Sequence, residues 1–174
     1  MTTVASASVS SVRSPFLPRP AKILAIDPFT VKEKRFKVAM SDGQPLDYLP
    51  MQFVEVSVMG VGEAPISVCS TPSPDGTFEM CVRSVGSVTS AMHALKAGDM
   101  IGIRGPFGNG FDPSQYRAKG FLFVAGGLGM APTRSVIQYV LKNRKDFGQV
   151  VEHGLDLPQS PRPAASTIGI RAAL

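Results

Sequence analysis

The stretch FVAGGLGMAPTRS, residues 123–135, places three glycines between an apolar run and the start of a helix. The segment that leads into it, GFLFVAGG at 120–127, is almost continuously apolar, as expected for a strand buried on both faces of a parallel sheet. Pro132 suits the first turn of the helix. The predicted buried stripe of this helix is Val136, Ile137, Val140 and Leu141. Because QVVEHGL at 149–155 suits a second strand, the order is strand, loop, helix, strand.

The glycine-rich loop has the residues expected of a phosphate site. Free backbone N–H groups and the positive end of the helix dipole gather where a strand feeds a helix. Glycine also lets a ligand approach the backbone and permits positive φ. The loop departs from the G-x-G-x-x-G pattern, so a purely structural tight turn is an alternative. The candidate binding residues are Gly126, Gly127, Leu128, Gly129, Met130, Ala131 and Pro132.

Upstream of this unit, residues 15–112 consist of short segments in which apolar and polar residues alternate. Clear examples are RFKVAM at 35–40, FVEVSV at 53–58 and TFEMCVR at 77–83. Turn sequences such as Ser41-Asp42-Gly43 and Pro74-Asp75-Gly76 fall between segments of this kind. Period-two alternation in short strands predicts an antiparallel barrel with one wet face.

One helix interrupts the predicted barrel, in GSVTSAMHALKAGD at 86–99. Ser87 or Thr89 is expected to cap it and Gly98 to end it, with His93 on its exposed polar side. Its apolar side is predicted to consist of Val88, Ala91, Met92 and Leu95.

Two further segments have the residue types of a ligand site. Gly86, Ser87, Val88 and Thr89 open the helix, so their amides and hydroxyls would bind a pyrophosphate; a simple helix cap is the alternative. In APISVCS at 64–70, the side chains of Ser67, Cys69 and Ser70 are expected on the face opposite Ile66 and Val68. Small polar groups of this kind line a flat heteroaromatic ring, or simply fill space.

Composition and charge narrow the class of protein. The chain has 174 residues and a net charge of +5. Its basic clusters indicate a solvated surface or, alternatively, a docking face for an acidic protein. They carry no nucleic-acid-binding motif. The two cysteines lie too far apart for a metal signature, and the apolar runs are too short for a membrane span. We expect a reduced, cytoplasmic setting without bound nucleic acid. The basic clusters are Lys32, Lys34, Arg35 and Lys37, and Lys142, Arg144 and Lys145.

Taken together, these segments resemble the ferredoxin–NADP⁺ reductase-like flavoproteins. The similarity is strongest to electron-transfer subunits: sulfhydrogenase gamma, anaerobic sulfite reductase B, and that of dihydroorotate dehydrogenase. MHALKAGDMIGIRGPFGNGF at 92–111 is typical of this subgroup. The resemblance implies an antiparallel β-barrel binding FAD over 15–112, followed by the start of an α/β Rossmann-like NAD(P)-binding domain over 117–150. It also implies electron transfer between NAD(P)H and an iron–sulfur or hydrogenase-type partner subunit in a hetero-oligomer.

The resemblance also implies roles for residues along the barrel. Ser67 falls on the serine that approaches the flavin ring, whereas Ala64 and Ile66 replace the arginine and tyrosine of the family pattern. Arg83 would supply the missing positive charge, or is an ordinary exposed strand arginine. Met51 stands where the family usually has glycine. Further implied cofactor residues are Pro65, Ile66, Val68, Val82, Gly105 and Pro106.

The two ends of the chain differ from this pattern. Residues 1–14 are expected to be a disordered tail, or alternatively a transit peptide. Residues 151–174 have no cysteine and no family pattern, so no iron–sulfur cluster is expected in this chain. A frameshifted or truncated product would account for them. The alternative functions are then a non-catalytic remnant whose barrel keeps flavin or partner binding without the nicotinamide nucleotide, or a barrel that binds something unrelated.

Overall fold

The computed structural model describes Ser14 and residues 16–155, with side chains as far as Val151. The tails expected at 1–14 and 151–174 lie outside these residues, apart from Ser14 and residues 151–155. The described elements, in chain order, are β1 Arg19–Pro28, β2 Glu33–Met40, β3 Phe53–Val58, β4 Gly62–Ser67, β5 Phe78–Arg83, α1 Ser87–Ala94, β6 Met100–Phe107, β7 Phe121–Gly126, α2 Met130–Lys142 and β8 Val150–Leu155.

The first six strands form the antiparallel barrel that the alternation predicts. They are ordered β4-β3-β6-β1-β2-β5, and every neighbouring pair is antiparallel. Beyond the end of β4, Val68 bridges to Met80 of β5, and the Cys69 N–H donates to the Glu79 carbonyl at 2.8 Å. The first and last strands of the sheet are therefore joined, which closes the barrel and leaves fewer unpaired strand edges.

The barrel core contains the inward side chains of the alternating segments. Phe36, Val54 and Phe78 are each at most 1% exposed. The turns after β2 and before β5 need glycine, because Gly43 has φ +70° and Gly76 has φ +71°. The alternation therefore identifies both the strands and the face that each one buries. Val58 also packs against the core, but it is only partly buried.

Helix α1 is shorter than predicted and starts differently. Its N-cap is Gly86, in an extended conformation, rather than Ser87 or Thr89. The Thr89 hydroxyl instead accepts the N–H groups of Val85 and Gly86, both at 3.0 Å. The helix ends at Ala94, well before Gly98, because Leu95 is already extended. The glycine predicted to end it therefore lies in the following turn.

His93 was expected on the exposed face of α1, and this expectation is wrong. Its ring is partly buried, with its centroid 6.1 Å from that of Phe36, and its Nε2 lies 2.9 Å from the Val82 carbonyl. The short helix packs against the barrel, so even its polar side meets strand β5. His93 is therefore a packing residue with a satisfied ring nitrogen.

The β7–α2–β8 unit follows the barrel, and its two strands are parallel as predicted. Phe123 of β7 packs with Val136, Ile137 and Val140 of α2. The prediction of a strand buried on both faces is wrong for the described residues. Leu122 is 67% exposed and Val124 is 52% exposed, because α2 covers only the opposite face.

The buried stripe of α2 is also rotated from the predicted one. Leu141 is exposed, whereas Ala131 and Ser135 are buried. The helix packs against the barrel as well as against β7, so its buried surface extends around to the barrel side. The sequence pattern shows only the apolar part of that surface.

Candidate functional site

Strand β4 separates its candidate residues onto two faces. Ile66 and Val68 point into the barrel, where they are 9% and 0% exposed, and Ala64 packs beside them. Pro65 is exposed and Ser67 is partly exposed on the other face. Of the predicted flavin-strand residues, only Pro65 and Ser67 therefore have side chains that a ligand on the outside could reach, while Ile66 and Val68 belong to the barrel core.

The expected alternation ends at Ser67. Cys69 and Ser70 were predicted on the same open face as Ser67, but both are buried. The chain leaves β4 here and crosses to pair with β5, which changes the direction of the side chains. The Ser70 hydroxyl lies 2.9 Å from the Tyr48 hydroxyl and accepts the Glu79 N–H at 2.9 Å. Burial raises the pKa of the Cys69 thiol to about 12, so the group stays protonated at neutral pH.

The start of α1 offers backbone donors. The N–H groups of Ser87, Val88 and Thr89 lie in the first turn of the helix, where a backbone N–H has no partner one turn earlier, and the N-cap Gly86 has no side chain to cap them. Ser87 is exposed, while Val88 and Thr89 are 8% exposed and contribute their amides rather than their side chains. Open amides at a helix N-terminus suit a phosphate or pyrophosphate.

Helix α1 is held beside β4. A Cβ at Gly62, the first residue of β4, would lie 3.5 Å from Cγ2 of Val88. Because β4 runs from Gly62 to Ser67, the open amides adjoin one end of the strand and Ser67 marks the other. An elongated ligand with a ring at one end and a diphosphate further along fits this order.

Arg83 of β5 and Arg104 of β6 are already paired with carboxylates. Arg83 Nε lies 2.6 Å from Glu33 Oε1 on the outer face of β5, while the preceding Val82 is 1% exposed. Arg104 Nη2 lies 2.7 Å from Glu63 Oε2. The hydrogen bond from Arg104, helped by one from Ser57, lowers the pKa of Glu63 to about 2. A ligand phosphate would therefore compete with Glu33 for Arg83.

The glycine loop has the open backbone expected of a ligand loop. Gly127 has φ +54°, and Gly127–Gly129 form a single 3₁₀ turn before α2. A Cβ at Gly129 would meet nothing within 4 Å, so the space beside this backbone is free of described atoms. Met130 and Pro132 are partly buried and Ala131 is 9% exposed. Gly105, next to Pro106 in β6, also has positive φ, at +124°.

Three polar side chains of α2 join the loop unit to the barrel, and the sequence pattern did not reveal them. Arg134 Nη1 donates to the Cys69 carbonyl at 2.9 Å and to Glu79 Oε2 at 2.6 Å. The Ser135 hydroxyl accepts the Met51 N–H at 3.0 Å. Gln138 Oε1 accepts the Thr71 N–H at 3.1 Å. The partners are 55 to 84 residues apart, so local spacing carries no signal for them.

Among the residues that the structure describes, no group of three or more metal-ligating side chains could hold an ion. No described helix combines the length and apolar character needed to cross a membrane.

Comparison with solved structures places the fold among reductase-type FAD/NAD-binding proteins. The fold matches the flavohaem-like FAD/NAD-binding domain of nitric oxide dioxygenase from Vibrio cholerae O1 biovar El Tor, with a TM-score of 0.69. The match covers 79% of this chain and 62% of that chain at 19% identity, which shows a shared fold. The chain belongs to the oxidoreductase FAD-binding domain family, whose model matches residues 25–111.

Curated relatives support the subgroup resemblance. The chain is 40% identical to sulfhydrogenase 1 subunit gamma of Pyrococcus furiosus over 79% of its length and 48% of the relative. It is 40% identical to a probable dihydroorotate dehydrogenase B (NAD(+)) electron transfer subunit of Archaeoglobus fulgidus, over 53% of its length and 36% of that protein. The predicted family is confirmed. The chain spans about half the length of the first of these relatives and about a third of the second.

Proposed function

We propose that this chain binds FAD along β4 and the start of α1 and passes electrons between NAD(P)H and an iron–sulfur or hydrogenase-type partner subunit. The observation that carries the proposal is the set of open amides at Ser87, Val88 and Thr89 beside β4. The names of the relatives, which are subunits of a sulfhydrogenase and of a dihydroorotate dehydrogenase, favour a hetero-oligomeric partner. We propose the cytoplasm as the compartment.

The proposed binding mode assigns each segment a task. The amides at the start of α1 would bind the pyrophosphate, and the partly exposed Ser67 would meet the ring system. Gly127 and Gly129 would let the nicotinamide nucleotide approach the loop backbone. Bound FAD would supply the hydride and single-electron chemistry, so the tasks of the protein are binding, orientation and exclusion of water.

Ala64 and Ile66 make the flavin contacts of this chain different from the family pattern. Neither side chain can provide a charge clamp or an aromatic stack, and both face the barrel interior. We propose that Arg83 exchanges Glu33 for the cofactor phosphate, which replaces one charge-assisted bond with another. The affinity for FAD then depends mainly on the backbone of α1.

A matched pair of variants at Ser87 tests the flavin site. Ser87→Asp puts a carboxylate in the first turn of α1, where it stabilises the helix but repels a pyrophosphate. We expect FAD affinity, measured by fluorescence titration of the purified chain, to fall by at least about tenfold. Ser87→Ala, which removes only the hydroxyl, is the control and should weaken binding by less. Failure of the wild-type chain to take up FAD, or equal affinity for all three proteins, would contradict the site.

Electron transfer is tested separately on the FAD-loaded chain. Anaerobic mixing with NADH and with NADPH should bleach the flavin absorbance with at least one nucleotide. A second candidate function is a barrel that binds flavin but no nicotinamide nucleotide. The exposure of Leu122 and Val124 favours it, because one face of the nucleotide unit is open among the described residues. Flavin uptake without bleaching by either nucleotide would support this second function.

A further inference from the structure

Arg134 connects the two segments that the proposed function assigns to the two cofactors. Its guanidinium donates to the carbonyl of Cys69, which lies two residues after Ser67 at the end of the flavin strand. Its own backbone lies two residues after Pro132, at the end of the glycine loop. Two residues of chain reach only about 7 Å. The Cys69 carbonyl and the Arg134 backbone therefore each lie within about this distance of one of the two segments.

The same guanidinium is anchored to a carboxylate that cannot easily follow it. Glu79 accepts from Arg134 at 2.6 Å and also lies 3.8 Å from Arg35 Nη1. Arg35 in turn pairs with Asp27 at 2.7 Å. The side chains of Arg134 and Glu79 are 22% and 19% exposed, so water screens their charge-assisted bond only in part. Glu79 is thus held from the β2 side while Arg134 pulls α2 towards it.

The other two polar contacts of α2 cannot replace this one. Ser135 and Gln138 each accept a single backbone N–H, from Met51 and Thr71, and neither bond involves an ionised group. Both contacts also tie α2 to the barrel. Arg134 binds Cys69, two residues after the end of β4, whereas the Gln138 contact falls on Thr71, two residues further along, and the Ser135 contact falls on Met51.

We propose that Arg134 is a positioning residue that holds the glycine loop at a fixed place against the end of β4. The consequence for catalysis rests on the proposed function: Arg134 would set the approach of the nicotinamide to the flavin ring. Reaction rates are sensitive to this placement, because a misplacement of about 1 Å can cost about a hundredfold. The group binds neither cofactor in this proposal and acts through the loop.

The test compares Arg134→Ala, Glu79→Gln and Arg134→Lys with the wild-type full chain. Lys142→Ala is the matched control, since Lys142 lies on the same helix and makes no ion pair with any residue that the structure describes. Hydrogen exchange followed by mass spectrometry reports how firmly the loop and α2 are held, without any cofactor. In Arg134→Ala we expect exchange in residues 126–142 to accelerate by about tenfold, with β2 and β5 unchanged. Glu79→Gln should give a smaller acceleration, and Lys142→Ala none.

The outcomes separate positioning from a general structural role. Unchanged exchange over 126–142 in Arg134→Ala, or equal acceleration throughout the barrel, would overturn the proposal.

With FAD bound, the rate of flavin reduction at saturating nucleotide should fall at least about tenfold in Arg134→Ala, with little change in the half-saturating concentration. Arg134→Lys should recover most of the rate. Accelerated exchange with an unchanged rate would also overturn positioning. If the wild-type flavin is reduced by neither nucleotide, the proposed function fails, and the exchange comparison alone decides whether Arg134 holds the loop.

Discussion

The barrel and the β7–α2–β8 unit use hydrophobic burial in different ways. Among the described residues, seventeen buried hydrophobic side chains form one cluster inside the barrel, whereas five form the cluster between α2 and β7. The barrel strands close on one another, while the two parallel strands keep Leu122 and Val124 exposed. The barrel therefore buries its own apolar surface, and the second unit does so only in part.

This difference shows why the contacts of α2 with the barrel are polar and specific. A unit with a small core gains little from apolar burial alone, so its position depends on directed bonds. Ser135 is fully buried and binds the Met51 N–H, and Arg134 binds Glu79 and the Cys69 carbonyl. The barrel acts as the rigid support on which the glycine loop is mounted.

Truncation of one phenylalanine in each region should give the largest difference. Phe36 is 0% exposed in the barrel, and Phe36→Ala should lower the free energy of unfolding by about 3–5 kcal/mol. Phe123 is 8% exposed beside an open sheet face, so we expect Phe123→Ala to cost about 2 kcal/mol. Urea unfolding followed by circular dichroism measures both values. Equal losses in the two variants would break the distinction between the regions.

A substitution at Met51 tests the backbone strain at the point where the barrel binds α2. It has φ +68°, which costs an L-residue about 1–2 kcal/mol, and its side chain is 47% exposed. Glycine removes that cost but adds about 0.5–1 kcal/mol of unfolded-state entropy. Met51→Gly should therefore raise the free energy of unfolding by about 0.5–1 kcal/mol, seen as a higher thermal midpoint. The control is Met59→Gly at another exposed methionine, one without positive φ, which should lower the midpoint.

The sequence predicts most of the barrel because strand geometry is local. Successive side chains of a strand point to opposite faces, so Phe36, Val38 and Met40 had to share one face whatever their neighbours were. The parallel pairing of β7 and β8 follows in the same way from a helix placed between two apolar runs. The turn between β7 and α2 was predicted because glycine and proline are needed there at one place in the chain. The binding roles of this loop and of the start of α1 stay predictions.

The errors concern environments that distant residues create. His93 is partly buried because β5 lies next to α1, and Leu122 is exposed because no described element covers that face of β7. The Arg134–Glu79 contact joins residues 55 apart, and neither residue belongs to a recognisable motif. Local pattern predicts which face of an element is apolar, but it does not predict which other element meets that face.

The pH dependence of unfolding measures the small contribution that the exposed ion pair of Glu63 makes to the stability of the barrel. Its pKa is about 2 in the folded protein against an ordinary value of 4.5, because Arg104 and Ser57 hydrogen-bond the carboxylate. A lowered folded pKa means that the stabilisation is complete above about pH 4.5 and is lost as pH falls towards 2. Wild type should exceed Glu63→Gln in urea midpoint near neutral pH, and the gap should close over this window. Added salt should shrink it, since the pair is exposed. A gap that widens on acidification would reverse the assigned sign.

The smallest effect is expected on the open face of β7. Leu122 is 67% exposed, so Leu122→Gln should change the free energy of unfolding by no more than about 0.5 kcal/mol. The control is Val140→Thr on the covered side, where Val140 is 0% exposed and a hydroxyl without a partner should cost about 1–3 kcal/mol. Thermal unfolding at two protein concentrations makes the comparison.

If Leu122→Gln costs as much as Val140→Thr, the face is covered in solution. A dependence of that cost on protein concentration would then identify a second copy of the chain as the cover, and its absence would point to a segment of the same chain. In either case β7 would be buried on both faces, as its apolar sequence predicts.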